Sequence, residues 1–456
     1  MQDTEKDQTL GVHASRLAPQ VPMTKRRFRE AQADLPPAAG NGLLDRRLFL
    51  EYGAVFGALL LTPRPAAPGA PTSAFNIDPA DPPWMHQPGK PFSHYGVPSP
   101  HESKVIRWIA ANPAVPGNGV SWSPLHDLEG TITPTGLHFE RHHNGVPDID
   151  PAQHRLVIHG LTQRALSFTM DDLMRYPMRS ALIFLECGGN SNQGWNLEPI
   201  QTKVSFLHGL VSCGEWTGVP LSILLDEAGI DAGARWLIAE GADAIAMNVS
   251  IPIEKAFDDA ILAVYQNGER IRPEHGYPLR LVLPGWEGVM NVKWLRRLRA
   301  AAEPVMARNE TSRYTELLPS GKARQFTFVM ETKSVITAPS FGMTLEESGF
   351  YEISGLAWSG RGRVRSVEVS ADGGRSWAPA ALQEPVLSKC FTRFRIPWRW
   401  DGGPATLMSR ATDETGSRQP LRADLVRERG RQGYFHYHAV VSWAVGEDGL
   451  LRHVYI

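Results

Sequence analysis

Cysteine is scarce in this chain: Cys187, Cys213 and Cys390 are the three among 456 residues. No Cys-x-x-Cys spacing occurs, which excludes a common zinc module, and no Cys-x-x-Cys-His occurs, which excludes a c-type haem attached to this chain. An excess of one charge is lacking too, since 47 basic side chains face 48 acidic ones for a formal net charge of −1. No Lys/Arg block long enough to follow a phosphate backbone interrupts the folded part, so nucleic acid is not an expected partner. Long apolar runs are missing. The best candidate, residues 52–62, falls far short of the about 20 residues a helix needs to cross a bilayer, so no membrane anchor is expected. No repeat at a solenoid or propeller period is present.

What is there is ordinary in bulk. A hydrophobic fraction of 42% with 21% charged residues fits a globular protein, and the length suggests two or three domains. The first of its special features is Arg46-Arg47-Leu48-Phe49-Leu50, followed by the uncharged run 52–62 and the Pro/Ala-rich stretch 63–74. This order resembles a twin-arginine export signal, so residues 1–74 are expected to be a leader and the periplasm the destination. That pathway moves folded proteins, which suits an enzyme loaded with a cofactor before export.

Residues 75–134 are rich in Pro, Gly and His and read as an irregular arm, with a helical-looking stretch over 103–111. Short apolar strands follow at 156–159, 181–185, 236–239 and 279–283. Helix-like pieces at 169–176, 220–228 and 253–257 lie between them, the first introduced by a Thr-x-x-Asp capping pattern. The mixture predicts an α+β domain over 75–324. Beyond residue 325 helices disappear. Period-two segments, the turn Ala371-Asp372-Gly373-Gly374, and strands at 391–400, 405–411 and 434–445 predict a β-sandwich over 325–456.

Cys187 closes an apolar strand and is followed by Gly188-Gly189-Asn190. A core thiol would sit inside the apolar run, whereas two glycines after the strand permit close backbone approach. The residue alone leaves three readings open: a passive buried thiol, a nucleophile served by one of the 15 histidines, or a metal ligand.

The wider context resembles the sulfite oxidase family over most of the chain after the leader. Leu185-Glu186-Cys187-Gly188-Gly189-Asn190 is similar to that family's cysteine loop, and Glu215-Trp216-Thr217-Gly218-Val219-Pro220-Leu221 to its Trp-Thr-Gly segment. Ser250-Ile251-Pro252-Ile253-Glu254-Lys255-Ala256, His275-Gly276-Tyr277-Pro278-Leu279-Arg280-Leu281 and Asn291-Val292-Lys293-Trp294-Leu295 follow in the same order. The resemblance implies a molybdopterin-binding domain, then an immunoglobulin-like dimerisation domain, with Cys187 as the protein ligand of a molybdenum-oxo centre. It further implies His275, Arg280, Asn291, Val292, Lys293 and Asp243 as contacts of the Mo-molybdopterin cofactor. The segment Phe139-Glu140-Arg141-His142-His143 is similar to the family's Arg-Asn-His segment, with His142 where the family has asparagine. By that match Arg141 faces metal and substrate, His143 and its neighbours contact the cofactor, and Tyr314 is the active-site tyrosine.

One departure bears on substrate. Arginines that follow the cysteine loop in typical sulfite oxidases are replaced here by Ser191-Asn192-Gln193. Less positive charge suits sulfane sulfur held on a carrier-protein thiol, and the pattern resembles most the thiosulfate-oxidising (Sox) sulfane dehydrogenase branch of the family. The implied activity is oxygen-atom transfer to that sulfur, with electrons passed to a c-type cytochrome, in a homodimer or a heterotetramer with the cytochrome. Oxidation of free sulfite is the alternative within the class, and reduction of methionine sulfoxide a further one. A cysteine hydrolase or a non-enzymatic sandwich module stand outside it.

Overall fold

The computed structural model describes residues 37–45, 85, 88, 90–431 and 433–456. Arg46, Arg47 and the apolar run after them lie outside these residues. Among those described, no helix is long and apolar enough to cross a membrane.

Two sheets carry the first half of the chain. One has the strand order Asn248–Pro252, Trp236–Gly241, Leu295–Ala301, Arg155–Gly160, Leu166–Thr169, with Leu295–Ala301 and Arg155–Gly160 parallel and the other neighbours antiparallel. The other runs Glu269–Arg270, Ile261–Gln266, Val211–Pro220, Arg179–Glu186, with Arg280–Val282 also paired to Ile261–Gln266. Short helices at Met170–Leu173, Leu221–Ala228 and Ile253–Asp258 begin where sequence signals place them. Thr169 caps the first through a reciprocal bond with Asp172. Leu221, Leu224, Leu225 and Ala228 give the second an apolar stripe at helical spacing. These faces enclose a core that includes Leu156, Ile158, Leu237, Val264, Leu281 and Leu298.

From Lys333 onward two antiparallel sheets face each other. One contains Lys333–Ala338, Gly349–Trp358 and Thr392–Trp400; the other contains Val364–Ser370, Ala405–Asp413, Ser442–Val445 and Leu451–Val454. Their inner faces bury Trp398, Trp443, Phe394, Ile396, Leu407 and Val369, the alternation expected of a sandwich.

Three sequence expectations are corrected here. Residues 103–111 are not helical: Trp108–Ala111 is a strand paired with Gly119–Trp122, and the Trp108 ring packs at a tilt against Phe206 and Trp122. Helix does occur after residue 325, at Arg422–Arg429, where Leu425 is the one fully buried apolar side chain and Arg429 the cation held inside. Of the stretch 434–445 only Ser442–Val445 is strand. Its earlier part leaves the sandwich and packs on the first domain, and apolar patterning alone does not distinguish the two kinds of burial. A further observation concerns residues 37–45, which the sequence assigns to the leader. Pro37–Ala39 and Leu43–Leu44 form a hairpin on the sandwich, with Leu43 buried against the edge of Thr392–Trp400 and Asn41 O accepting from Trp398 Nε1 at 2.7 Å.

Candidate functional site

Strand Arg179–Glu186 ends at Cys187, and its last residue is anchored before the chain turns. Glu186 Oε1 accepts from Lys333 Nζ at 3.1 Å and from Asn190 Nδ2 at 2.9 Å, while Oε2 accepts from Trp358 Nε1 at 2.6 Å. A Cβ on Gly188 would lie 1.8 Å from Glu287 Oε1, so any side chain there would have to displace the buried Glu287 carboxylate. Beyond it Ser191 takes left-handed backbone, φ 66°, and bonds both His208 and Lys333.

Cys187 opens into a cavity lined also by His138, Phe139, Glu140, Arg141, His142, His143, Asp243, Glu274, His275, Arg280, Asn291, Lys293 and Tyr314. Distant segments converge there. The strand Glu140–His142 brings Arg141 and His142, and the turns around Pro273–His275 and after Met290 bring His275 and Lys293. Lys293 Nζ donates to Arg141 O and Glu274 O at 3.1 Å each and to His142 Nδ1 at 2.8 Å. His142 Nε2 then donates to Glu140 Oε2 at 2.7 Å, and a neutral ring is required for Nδ1 to accept. Burial and the Lys293 and Arg141 cations push His142 down to about 3, in agreement with that tautomer. The Tyr314 ring packs tilted against Phe435 at 5.1 Å between centroids, and burial raises its phenol.

Two features of the lining ask for a ligand. Arg280, buried and over the Trp216 ring at 5.1 Å, is pushed down to about 9 by burial. Lys293 is pushed well down by burial and by the Arg280 cation. Among the described residues no ion pair neutralises Arg141, Arg280 or Lys293, although Asp243 and Glu274 act on Lys293 from a distance. Buried cations without an anion are costly, and a phosphate group would relieve them. The second feature is a pair of imidazoles, His138 and His275, with centroids 4.7 Å apart. Each commits Nδ1, to Phe139 O and Gln266 Oε1 respectively at 2.9 Å. Each leaves a buried Nε2 with no partner. Burial, reinforced by neighbouring cations, holds both rings neutral, so both Nε2 atoms are acceptors turned towards whatever carries N–H groups. Phosphate plus a heterocycle edged with N–H donors describes a pterin cofactor, and these residues fit it.

The thiol itself is not set up as a nucleophile. Burial pushes Cys187 up to about 11, and the Glu287 carboxylate outside the loop adds to the rise. Among the described residues no base is bonded to its sulfur, so the hydrolase reading loses its chemistry. A metal cation at the sulfur would remove the proton outright.

The loop over Cys187 comes from the sandwich. His436 N–H donates to Gly188 O at 2.8 Å. The His436 ring lies between Glu331, 3.1 Å from Nδ1, and Glu287, 3.5 Å from Nε2. Arg429 holds Glu331 at 2.5 Å and both oxygens of Glu316 at 3.1 Å. This charged girdle clamps Tyr434 and Phe435 against Gly189.

Two family models match the chain: an oxidoreductase molybdopterin binding domain over residues 143–308 and a Mo-co oxidoreductase dimerisation domain over 324–441. Mitochondrial sulfite oxidase of Mus musculus is 34% identical over 274 residues, 56% of this chain and 50% of that one. NADH nitrate reductase of Solanum lycopersicum is 32% identical over 349 residues, 65% of this chain and 37% of that one. The chain thus spans half or less of these relatives. The crystal structure of the sulfane dehydrogenase SoxCD from Paracoccus pantotrophus matches with 44% identity and a TM-score of 0.79, covering 82% of this chain and 97% of that one. The chain belongs to the sulfite oxidase family. Its cofactor is accordingly a molybdenum-bound molybdopterin, and its fold is the family's cofactor domain followed by the dimerisation domain.

Of the residues this family membership singles out, all but Val292 line the one cavity. Val292 packs in the first core, and its carbonyl accepts from Leu281 N–H at 2.9 Å. Asn291 reaches the lining but its amide is spent on Leu283, Trp286 and Glu287, which shapes the loop before it. Asn192 is not on the lining at all; it starts a short turn of 3₁₀ helix. Sequence reading missed His138, Glu274, Met247 and Trp294 on the lining. His138 had a signal, since it directly precedes the segment 139–143. Glu287 and His436 had none, because nothing local connects them to Cys187. A wider depression around Asp148, Asp150, Arg155, Arg296 and Arg297 offers less, since Glu240 already pairs Arg296 and Arg297.

Proposed function

We propose that this protein is a periplasmic sulfur-oxidising enzyme that acts on sulfane sulfur carried by a partner protein and hands its electrons to a c-type cytochrome. The observation that carries the redox reading is the junction of Cys187 with three unneutralised cations and two bare imidazole acceptors in one cavity. When bound, the molybdenum-pterin group supplies two-electron oxygen-atom transfer to sulfur. The chain's own residues do the rest. Arg280 and Lys293 take the anionic end of the cofactor, His138 and His275 accept from its N–H edge, and Cys187 offers sulfur to the metal. Arg141, held by bonds to Gly119 O and His142 O, shares the cavity lining with the thiol and orients an anionic sulfur substrate. The clamped loop around His436 excludes water from that side of Cys187.

Sulfane over sulfite is supported by the 44% identity to the sulfane dehydrogenase SoxCD over 97% of that chain; the missing cations at 191–193 do not bear on the choice, because none of these residues lines the cavity. A substrate delivered on a carrier brings binding energy from the carrier surface and needs less charge at the pocket. Export with the cofactor in place is supported by Arg46-Arg47, and transfer to a separate cytochrome by the missing haem motif. The match to a dimerisation domain supports a homodimer, or a heterotetramer with the cytochrome. Free sulfite is the second reading, favoured by Arg141 standing at the pocket. The test compares kcat/KM for a persulfidated carrier protein and for sulfite, with a c-type cytochrome as acceptor. Faster turnover of sulfite would make the protein a sulfite dehydrogenase. Metal analysis accompanies it: about one molybdenum per chain is expected, with turnover abolished in Cys187→Ser.

A further inference from the structure

The two cysteines that the site does not use meet each other. Cys213 belongs to strand Val211–Pro220 of the cofactor domain, and Cys390 lies two residues before strand Thr392–Trp400 of the sandwich. Both are buried thiols, and their sulfurs are 3.4 Å apart across 177 residues of chain. A disulfide bond is about 2.05 Å long, so a small rotation at either Cβ separates this contact from a covalent one. The backbones are already pinned in place. Thr133 N–H donates to Cys213 O at 2.7 Å and Cys213 N–H to Thr133 Oγ1 at 3.2 Å, while Phe184 N–H donates to Lys389 O at 3.0 Å. Around the sulfurs lie Phe184, Val211, Met330, Val335, Leu356, Trp358 and Phe391, contributed by both domains. This apolar seam leads along Arg179–Glu186 to Cys187.

We propose that Cys213 and Cys390 are an oxidisable pair that closes into a disulfide and staples the cofactor domain to the sandwich. Burial raises the Cys213 thiol, whereas the hydrogen bond with Cys213 lowers the Cys390 thiol, so Cys390 is the thiol that meets an oxidant first. A small oxidant is needed to reach the seam, and hydrogen peroxide is of that class. One thiol attacks the O–O bond, giving a sulfenic acid and one water. The second thiol then attacks that sulfur, the S–S bond forms, and the other oxygen leaves as a second water. Two thiols and one peroxide thus give one disulfide and two waters, with both electrons passing to the peroxide. Closing so long a loop restricts the unfolded chain strongly.

The test treats the loaded enzyme with hydrogen peroxide, at room temperature and again about 5 °C below Tm, where the seam opens. The protein is then unfolded, its remaining thiols are alkylated, and its peptides are mapped by mass. The expected product is the Cys213 peptide joined to the Cys390 peptide, lighter by two hydrogens than the separate pair. Tm is expected to rise by about 5 °C and to return on adding a dithiol reductant. Cys390→Ala should lose both the linked peptide and the rise. Recovery of Cys213 and Cys390 on separate peptides at both temperatures, alkylated or over-oxidised, overturns the proposal. A rise in Tm that persists in Cys390→Ala overturns it as well. The mapping needs no variant, and its outcome is independent of which sulfur compound the enzyme oxidises.

Discussion

Lys333, on the first strand of the sandwich, forms an ion pair at 3.1 Å with Glu186, the residue before Cys187, and the two side chains are 2% and 1% exposed. The cysteine loop is therefore oriented by a cation from the other domain. Glu186 is fully used by Lys333, Asn190 and Trp358, so removal of the cation strands a buried carboxylate. Lys333→Met is expected to cost about 3–5 kcal/mol in urea unfolding, and the double variant with Glu186→Gln to recover much of it. Equal stability of the single and double variants would show that the pair does not hold the loop.

Arg280 gives a prediction with opposite signs in two states. In the protein without cofactor it is a buried cation with no counter-ion, pushed down to about 9. Arg280→Met is expected to raise Tm of the cofactor-free protein while lowering molybdenum content at least tenfold. Arg280→Lys should recover only part of the content, because the ammonium lacks the guanidinium fork. A cofactor-free variant less stable than wild type would assign Arg280 to packing instead.

The His436 clamp makes stability depend on pH. Burial opposes its charge, and the Glu331 and Glu287 carboxylates outweigh that, raising it well above 6.5. A group raised on folding stabilises fully below its unfolded value, near 6.5, and the contribution is lost as pH rises through the folded value. Glu331 is opposed by burial but depressed by His436. Its contribution is present above the unfolded value near 4.5 and is lost as pH falls through the folded value. His436→Gln is expected to cost about 3 kcal/mol near pH 6 and progressively less at alkaline pH. Thermal unfolding of both proteins from pH 5 to 10 measures this. A constant difference across that range would remove the charge from the account.

Export is tested separately. Arg46→Lys with Arg47→Lys is expected to leave cofactor-loaded protein in the cytoplasm, since paired guanidinium groups are what such a pathway reads. Fractionation followed by immunoblotting shows the outcome, and normal periplasmic accumulation would discard the export reading.

Much of the fold was legible locally. The capping pattern at Thr169, the helix-like piece 220–228 and the turn Ala371-Asp372-Gly373-Gly374 are all short-range signals, and each forms where it was expected, although the first helix stops at Leu173 rather than 176. Trp108–Ala111 failed as a helix because its partner strand and the Phe206 ring lie elsewhere in the chain. The stretch 434–441 failed as a strand because Tyr434, Phe435 and Tyr437 turn to Gly189 and Trp195 of the first domain rather than to an opposing sheet.

For the site, the sequence, through its resemblance to the family, pointed to Cys187, its glycine exit and most of the residues that line the cavity, because a cofactor with fixed donors and charges imposes residue types in a fixed order. Only the tertiary structure decided that three cations stand together without an anion, that His138 and His275 each keep a bare nitrogen, and that Asn192 lies off the cavity lining. It also brought Lys333 under the cysteine loop, His436 over it, and Cys213 against Cys390. The contacts of Lys333, His436 and Cys390 with the first domain join segments more than a hundred residues apart, set by burial of an interdomain seam that has no period, spacing or local propensity to announce it.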